Sequence, residues 1–329
     1  MSAAPAPRRI LVTGAAGFVG RHVMAALQAD ADPGVALLGV GRCAADALPG
    51  TAFQPLELMD RAAVRARLAA FAPTHILHLA ALSSVGQAAQ ATAETWQVNV
   101  GGLLNLAEAV ASEVPGATFV FASSGEVYGR AFLSGEALDE TAAPQPTNSY
   151  ARSKWAGEQA LQDILGSGPG RLIVLRPFNH TGPSQDERFV VSSFAGQIAR
   201  IEAGLVPPQL AVGNLSARRE FLDVRDVVSA YRAVLTADDV PSGTVLNVAS
   251  GEPRTIASVL EDLRRLATVP FEVSVAPERL RPFEIAVAAG DARRLHAATG
   301  WAPVIPWADT LAGILDDARR RISAAASAP

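Results

Sequence analysis

The stretch "VTGAAGFVG" at residues 12–20 sets Gly14, Gly17 and Gly20 between a short apolar run and a segment of helical period. No other feature restricts the fold so much. Glycines there let the backbone turn tightly out of a buried strand and straight into a helix. The same turn leaves free N–H groups at the helix N-terminus, where the helix dipole stabilises an anion. A bare glycine-rich turn would need neither flank, so strand before and helix after point to a bound pyrophosphate and hence a dinucleotide. No Gly-Lys-Ser/Thr follows at the spacing of a P-loop.

Beyond the turn, short apolar runs alternate with longer helical ones. "RRILVTG" (8–14), "VALLGVG" (35–41), "HILHLAA" (75–81), "ATFVFASS" (117–124) and "RLIVLRPFN" (171–179) read as strands. Residues 18–29, 92–112 and 149–167 read as helices. Such alternation implies right-handed crossovers and a parallel sheet covered on both faces, the α/β class. The expected architecture is a Rossmann-type, doubly wound sheet over 8–178. From 179 to 322 the texture turns to Gly, Pro and polar residues around a helix at 189–204, which reads as a smaller, interleaved substrate lobe. Within that lobe "GTVLNVASG" (243–251) has the pattern of a strand returning to the sheet.

The second strand ends in "GVGRC", with Arg42 where an acidic residue would read the ribose of NAD. An arginine there accommodates a 2′-phosphate, so NADP(H) is favoured and NAD(H) stays open. A net charge of −4 offers no basic face for nucleic acid. Nor does any stretch reach the ~20 apolar residues needed to span a bilayer. One cysteine, Cys43, excludes an internal disulfide and suits a reducing compartment, and the apolar run near the N-terminus is too short for a signal peptide. The expected location is the cytoplasm. His75 and His78 have no third ligand nearby in sequence, so no metal is expected.

In "PTNSYARSKWAGEQ" (146–159), Tyr150 and Lys154 stand four apart on one helical face. An ammonium beside a phenol favours the phenolate, which would lower the tyrosine's pKa and suit it to proton transfer. Many helices carry such a pair by chance. Here it follows the glycine turn and a strand tipped by Ser123 and Ser124.

Together "TGAAGFVG", "HLAALSSV", "ASSGEVYG" and "YARSK" resemble the extended short-chain dehydrogenase/reductases that act on nucleotide sugars, over roughly residues 8–315. The resemblance implies that Ser124 binds the reacting carbonyl, Tyr150 transfers the proton, and Lys154 holds the nicotinamide ribose. It also implies cofactor contacts at Gly14, Gly17, Phe18, Val19, Gly20, Leu58, Leu79, Ala80 and Ala81. Glu57, in "LELMD", takes a place where Asp is more usual. Asn99 resembles a helix asparagine that supports the active-site backbone.

"RPFNHTGPSQDERFVVSSFAGQIARIEAG", "VGNLSARREFLDVRDVVSAY" and "ATGWAP" resemble the GDP-sugar branch. That branch implies reduction of the C4 ketone of GDP-4-dehydro-6-deoxy-D-mannose to GDP-6-deoxy-D-mannose (GDP-D-rhamnose). Ser83, Asn179, His180, Arg219 and Arg281 would then hold the nucleotide sugar, since Arg is a planar bidentate donor for phosphate. Glu126 lies where related 4,6-dehydratases carry their base, so GDP-mannose dehydration stays as an alternative, with epimerisation behind it. The family's four-helix interface implies a homodimer through residues 92–112 and 149–167.

Overall fold

A computed structural model of the protein describes residues 8–29, 34–42, 52–279 and 285–326. Seven parallel strands form the central sheet: β1 (Arg8–Thr13), β2 (Val35–Gly41), β3 (Phe53–Pro55), β4 (His75–His78), β5 (Thr118–Ala122), β6 (Arg171–Pro177) and β7 (Thr244–Val248). Their order is β7-β6-β5-β4-β1-β2-β3. This is the doubly wound α/β arrangement that the strand–helix alternation predicts. The order reverses between β1 and β4, and in such sheets the crevice beyond the strand carboxyl ends at that point receives the ligand.

Alternation along each strand sorts the core into two layers. Ile10 and Val12 of β1 join Leu77, Val120, Ile173 and Leu175 on one face, against Val23 and Met24 of α1 (Phe18–Ala29). Tyr231 and Val234 of the helix Val224–Thr236 close the same layer. Leu11 points the other way and packs with Ile76, Phe119, Phe121 and Val174. That second layer is covered by the helices Arg61–Phe71, Gly102–Glu113 and Ser149–Leu165. Burial on both faces is why these strands read as continuous apolar runs.

β7 lies beside β6 in register, Leu246 opposite Leu175. A separate apolar cluster joins the helices Val190–Glu202, Ile256–Leu266 and Trp307–Ala326 through Phe194, Ile198, Val259, Leu263 and Leu315. A smaller one, around Tyr128, Phe132 and Phe178, underlies the loop after β5. Tyr128 anchors it by donating to Asn247 of β7 at 2.8 Å.

Residues 92–112, read as one helix, are in fact Thr92–Trp96, a π-turn at Gln97–Gly101, and Gly102–Glu113. The π-turn carries Asn99, whose side chain accepts from Leu82 N–H (2.8 Å) and donates to the Leu82 carbonyl (3.2 Å) and to Ser153 Oγ (3.0 Å). An amide inserted at a π-turn is a recurring way to present a side chain that a regular helix would rotate away.

Candidate active site

Each strand delivers its part of the site at its carboxyl end. After β1, Gly14 adopts φ +68°, and a Cβ there would stand 2.7 Å from the Ala80 nitrogen beyond β4. A Cβ on Gly20 would meet the Gly14 carbonyl oxygen at 2.1 Å, so only glycine lets α1 start so close to the turn. Gly17 is exposed at the N-terminus of α1, with half-buried Phe18 and Val19 next to it. Thr13 ties the two sides of the crevice together: its Oγ1 accepts from Ala80 N–H (3.3 Å) and pairs with His78 Nδ1 (2.8 Å). Complete burial, with Lys154 nearby, lowers the His78 pKa to about 3, so this histidine is a neutral strut.

After β2 and β3, Arg42, Leu56, Glu57, Asp60 and Arg67 line an open cleft. Glu57 is exposed and accepts from Met59 N–H at 3.3 Å. Half-buried Leu58 is held by Asn105, which donates to its carbonyl at 2.9 Å. The Nε of Arg67 is buried there and has no partner among the described residues. Sequence reading passed over Arg67, because only the fold carries Arg61–Phe71 to the mouth of β2. After β4, Leu79, Ala80 and Ala81 are half-buried along the crevice, and Ser83 is exposed beside the Ser84 cap of a short helix.

After β5 the chain turns through Ser123 and Ser124 into a 3-10 segment, Gly125–Ser134. Ser124 caps that segment by accepting from Glu126 N–H (3.2 Å), and its hydroxyl lies near enough to the Tyr150 phenol to favour the ionised form. Tyr150 and Lys154 emerge from the first turns of Ser149–Leu165, which Asn148 caps by accepting from Ala151 N–H (2.8 Å). Lys154 Nζ donates to the Ala122 carbonyl at 2.7 Å and stands 4.9 Å from the Phe121 ring centre. Half-buried Glu126 accepts from Asn148 Nδ2 at 3.3 Å. Thus Ser124, Glu126, Tyr150 and Lys154 converge.

The titration of the pair differs from the sequence expectation. Burial pushes the Tyr150 phenol up to about 12; the Ser124 hydroxyl pulls it down, and the Glu126 charge adds to the rise. Burial also draws Lys154 down to about 7, against the opposing pull of Glu158. Enclosure therefore sets the titration of Tyr150, and the tyrosine stands as a protonated donor rather than a phenolate.

After β6, half-buried Asn179 and His180 line the opposite wall. His180 Nδ1 donates to the Phe178 carbonyl (2.9 Å), which leaves Nε2 as an acceptor on a histidine that burial keeps neutral. Its ring lies parallel to Phe18 of α1, centroids 6.2 Å apart, bridging the glycine turn and the segment after β6. Arg219 is half-buried in a short strand and donates to the carbonyls of Arg218 and Ile285. Arg281 lies outside the described residues, as does Cys43. Glu220, which sequence reading also passed over, is fully buried and receives N–H groups from Ser250, Gly251 and Gly290, tying two segments to the end of the Arg219 strand.

The family model for NAD dependent epimerase/dehydratase proteins matches residues 10–249. This chain belongs to that family. It is 39% identical over 316 residues to the GDP-6-deoxy-D-mannose reductase of Pseudomonas aeruginosa, covering 96% of this chain and 98% of that one. The structure of RMD from Pseudomonas aeruginosa complexed with NADPH superposes with a TM-score of 0.84 at 37% identity, covering 95% and 99% of the two chains. The UDP-glucose 4-epimerase of Thermus thermophilus in complex with NAD gives 0.82 at 32% identity, covering 94% and 99%. Among the described residues no helix is long and apolar enough to cross a membrane, and no group of His, Cys, Asp and Glu could hold a metal ion.

Proposed function

We propose that this protein reduces the C4 ketone of GDP-4-dehydro-6-deoxy-D-mannose to GDP-6-deoxy-D-mannose with NADPH. The observation that carries the reading is the buried Ser124–Tyr150 pair, with Lys154 one turn on, in a chain alike over nearly its whole length to a reductase of that name. The glycine turn fits a pyrophosphate, because glycine at 14 and 20 lets the turn pack against the Ala80 backbone and brings the start of α1 up to the Gly14 carbonyl, as a close-approach phosphate turn requires. Arg42 and Arg67 fit a 2′-phosphate, and Glu57, Leu58 and the 79–81 segment fit the adenosine side. When bound, NADPH supplies the hydride.

The remaining chemistry belongs to the chain. The hydroxyls of Ser124 and Tyr150 donate to the ketone oxygen and stabilise the charge that develops on it. A phenol with a pKa near 12 keeps its proton at neutral pH, so Tyr150 gives it up only as the oxygen becomes an alkoxide. Lys154 then faces a phenolate, and its positive charge favours that state. Asn179, His180 and Arg219, with Ser83 and Arg281, hold the sugar diphosphate. The single cysteine supports a reducing, cytoplasmic setting, and an exposed Trp96 on the helical layer supports a homodimer.

A second reading, dehydration of GDP-mannose, draws on Glu126, whose charge reaches Tyr150. One experiment separates the two. Purified protein is incubated with the keto-sugar plus NADPH, and separately with GDP-mannose, and products are followed by mass spectrometry. The keto-sugar should gain two hydrogens as NADPH is consumed, and NADH should serve less well. Tyr150→Phe should lower kcat by about 10²–10⁴ with little change in KM. Loss of water from GDP-mannose would make the protein a dehydratase instead.

A further inference from the structure

One turn beyond Lys154, on the same helix, stands Glu158, which is only 4% exposed. Its carboxylate makes a two-pronged pair with Arg176 of β6, Nε at 3.0 Å and Nη2 at 2.6 Å, and it also accepts the hydroxyl of Ser123. Arg176 is just as buried, lies 4.9 Å from the Tyr128 ring centre, and has no partner for Nη1 among the described residues. Glu158 thus bonds to the tips of two strands at once. Ser123 is flanked by Ala122, whose carbonyl receives Lys154, and by Ser124, which meets Tyr150.

We propose that Glu158 is a positioning residue: by fastening Ser123 and Arg176 to the catalytic helix, it fixes Lys154 and Ser124 relative to Tyr150 and sets a carboxylate one turn from the Lys154 ammonium. The inference rests on Tyr150 and Lys154 being the proton-transfer pair. A buried ion pair is weak evidence for stability, since well-packed apolar residues often replace it without loss. Its place between the two halves of the site points to the chemistry. The charged and titratable groups around Lys154 are Glu158 and Tyr150 on its own helix, neutral His78 from β4, Arg176 from β6 behind the carboxylate, and Glu126 from the loop after β5. Of these, Glu158 is the anion that holds the ammonium form against burial.

The test compares wild type, Glu158→Gln and the double variant Glu158→Gln/Arg176→Met, which removes both buried charges and so guards against mere misfolding. Two quantities are read: the titration of Lys154 from its ¹⁵Nζ resonance in the protein alone, and the alkaline limb of the kcat–pH profile. Glu158→Gln should bring the Lys154 midpoint down by about one pH unit or more, with the alkaline limb following it, and the double variant, which also loses the Arg176 cation, should recover part of that shift. KM should stay within about twofold if the effect is confined to the proton-transfer pair. A folded Glu158→Gln variant with a wild-type midpoint overturns the proposal. So does a limb that stays in place while kcat falls equally at every pH, the mark of a purely structural role. Absence of turnover by the wild type would count against the reductase reading, while the resonance would still report on Glu158.

Discussion

Lys154 shows what a residue number can and cannot carry. Its spacing from Tyr150 is plain in the sequence, because i and i+4 share a helical face whatever the fold. The direction of their titration is not, because it depends on how completely the sheet and the loop after β5 enclose them. The consequence for stability has a definite sign. Below about pH 7 the folded and unfolded chains both carry the lysine proton, and the folded chain bears the cost of a buried ammonium. Between about 7 and the ordinary value of 10.5, the unfolded chain keeps a proton that the folded chain has released, so this group's contribution to stability improves as pH rises. Lys154→Met should therefore raise Tm relative to wild type by more at pH 6 than at pH 9.5, while abolishing reduction. The gain is capped at a few kcal/mol, less the lost bond to the Ala122 carbonyl. Paired thermal melts at the two pH values check it; an equal Tm difference at both would mean that Lys154 does not titrate in this range.

The elements were unevenly legible. β1, β4, β5 and β6 are buried on both sides, so their apolar runs stand out. β3 is three residues long, and Arg61–Phe71 carries three arginines and buries only Val64 and Leu68, so neither announces itself. The π-turn is invisible for another reason: one extra residue per turn leaves the apolar pattern of 92–113 nearly intact. The first strand–turn–helix unit is the opposite case, where sequence and geometry coincide at single atoms. Gly14→Ala places a methyl 2.7 Å from the Ala80 nitrogen at φ +68°. Strain of this kind costs about 1–3 kcal/mol, which for a chain of this size lowers Tm by several degrees. The variant should also lose the thermal stabilisation that NADPH gives the wild type. A Gly14→Ala protein that melts like wild type and is still stabilised by NADPH would mean that the turn does not cradle the cofactor.

At the scale of the molecule, the sheet and its crevice follow from the pattern of the chain, but surfaces do not. Sequence shows that 92–112 and 149–167 carry apolar residues on more than one face; it cannot say which of these the fold covers. Most are covered by the sheet and by the neighbouring helices. Trp96 is not: it remains 38% exposed, as does Met59, whose sulfur would lie 3.5 Å from a Cβ on Gly101. The π-turn Gln97–Gly101, closed by Gly102 N–H on the Gln97 carbonyl, begins beside Trp96 with exposed Gln97 and then turns inward at buried Asn99. A two-fold contact sets such a patch against its own copy and so doubles the apolar area removed from water. Wild type should accordingly sediment as two chains at micromolar concentration, with Trp96→Glu sedimenting as one and keeping its far-ultraviolet circular dichroism. The glutamate would put two like charges into the heart of that contact, whereas on a solvent-facing wall it would be nearly neutral. Sedimentation of the wild type as a single chain, or of the variant as a stable pair, would remove the helical layer as the dimer face and leave Trp96 as an isolated exposed aromatic.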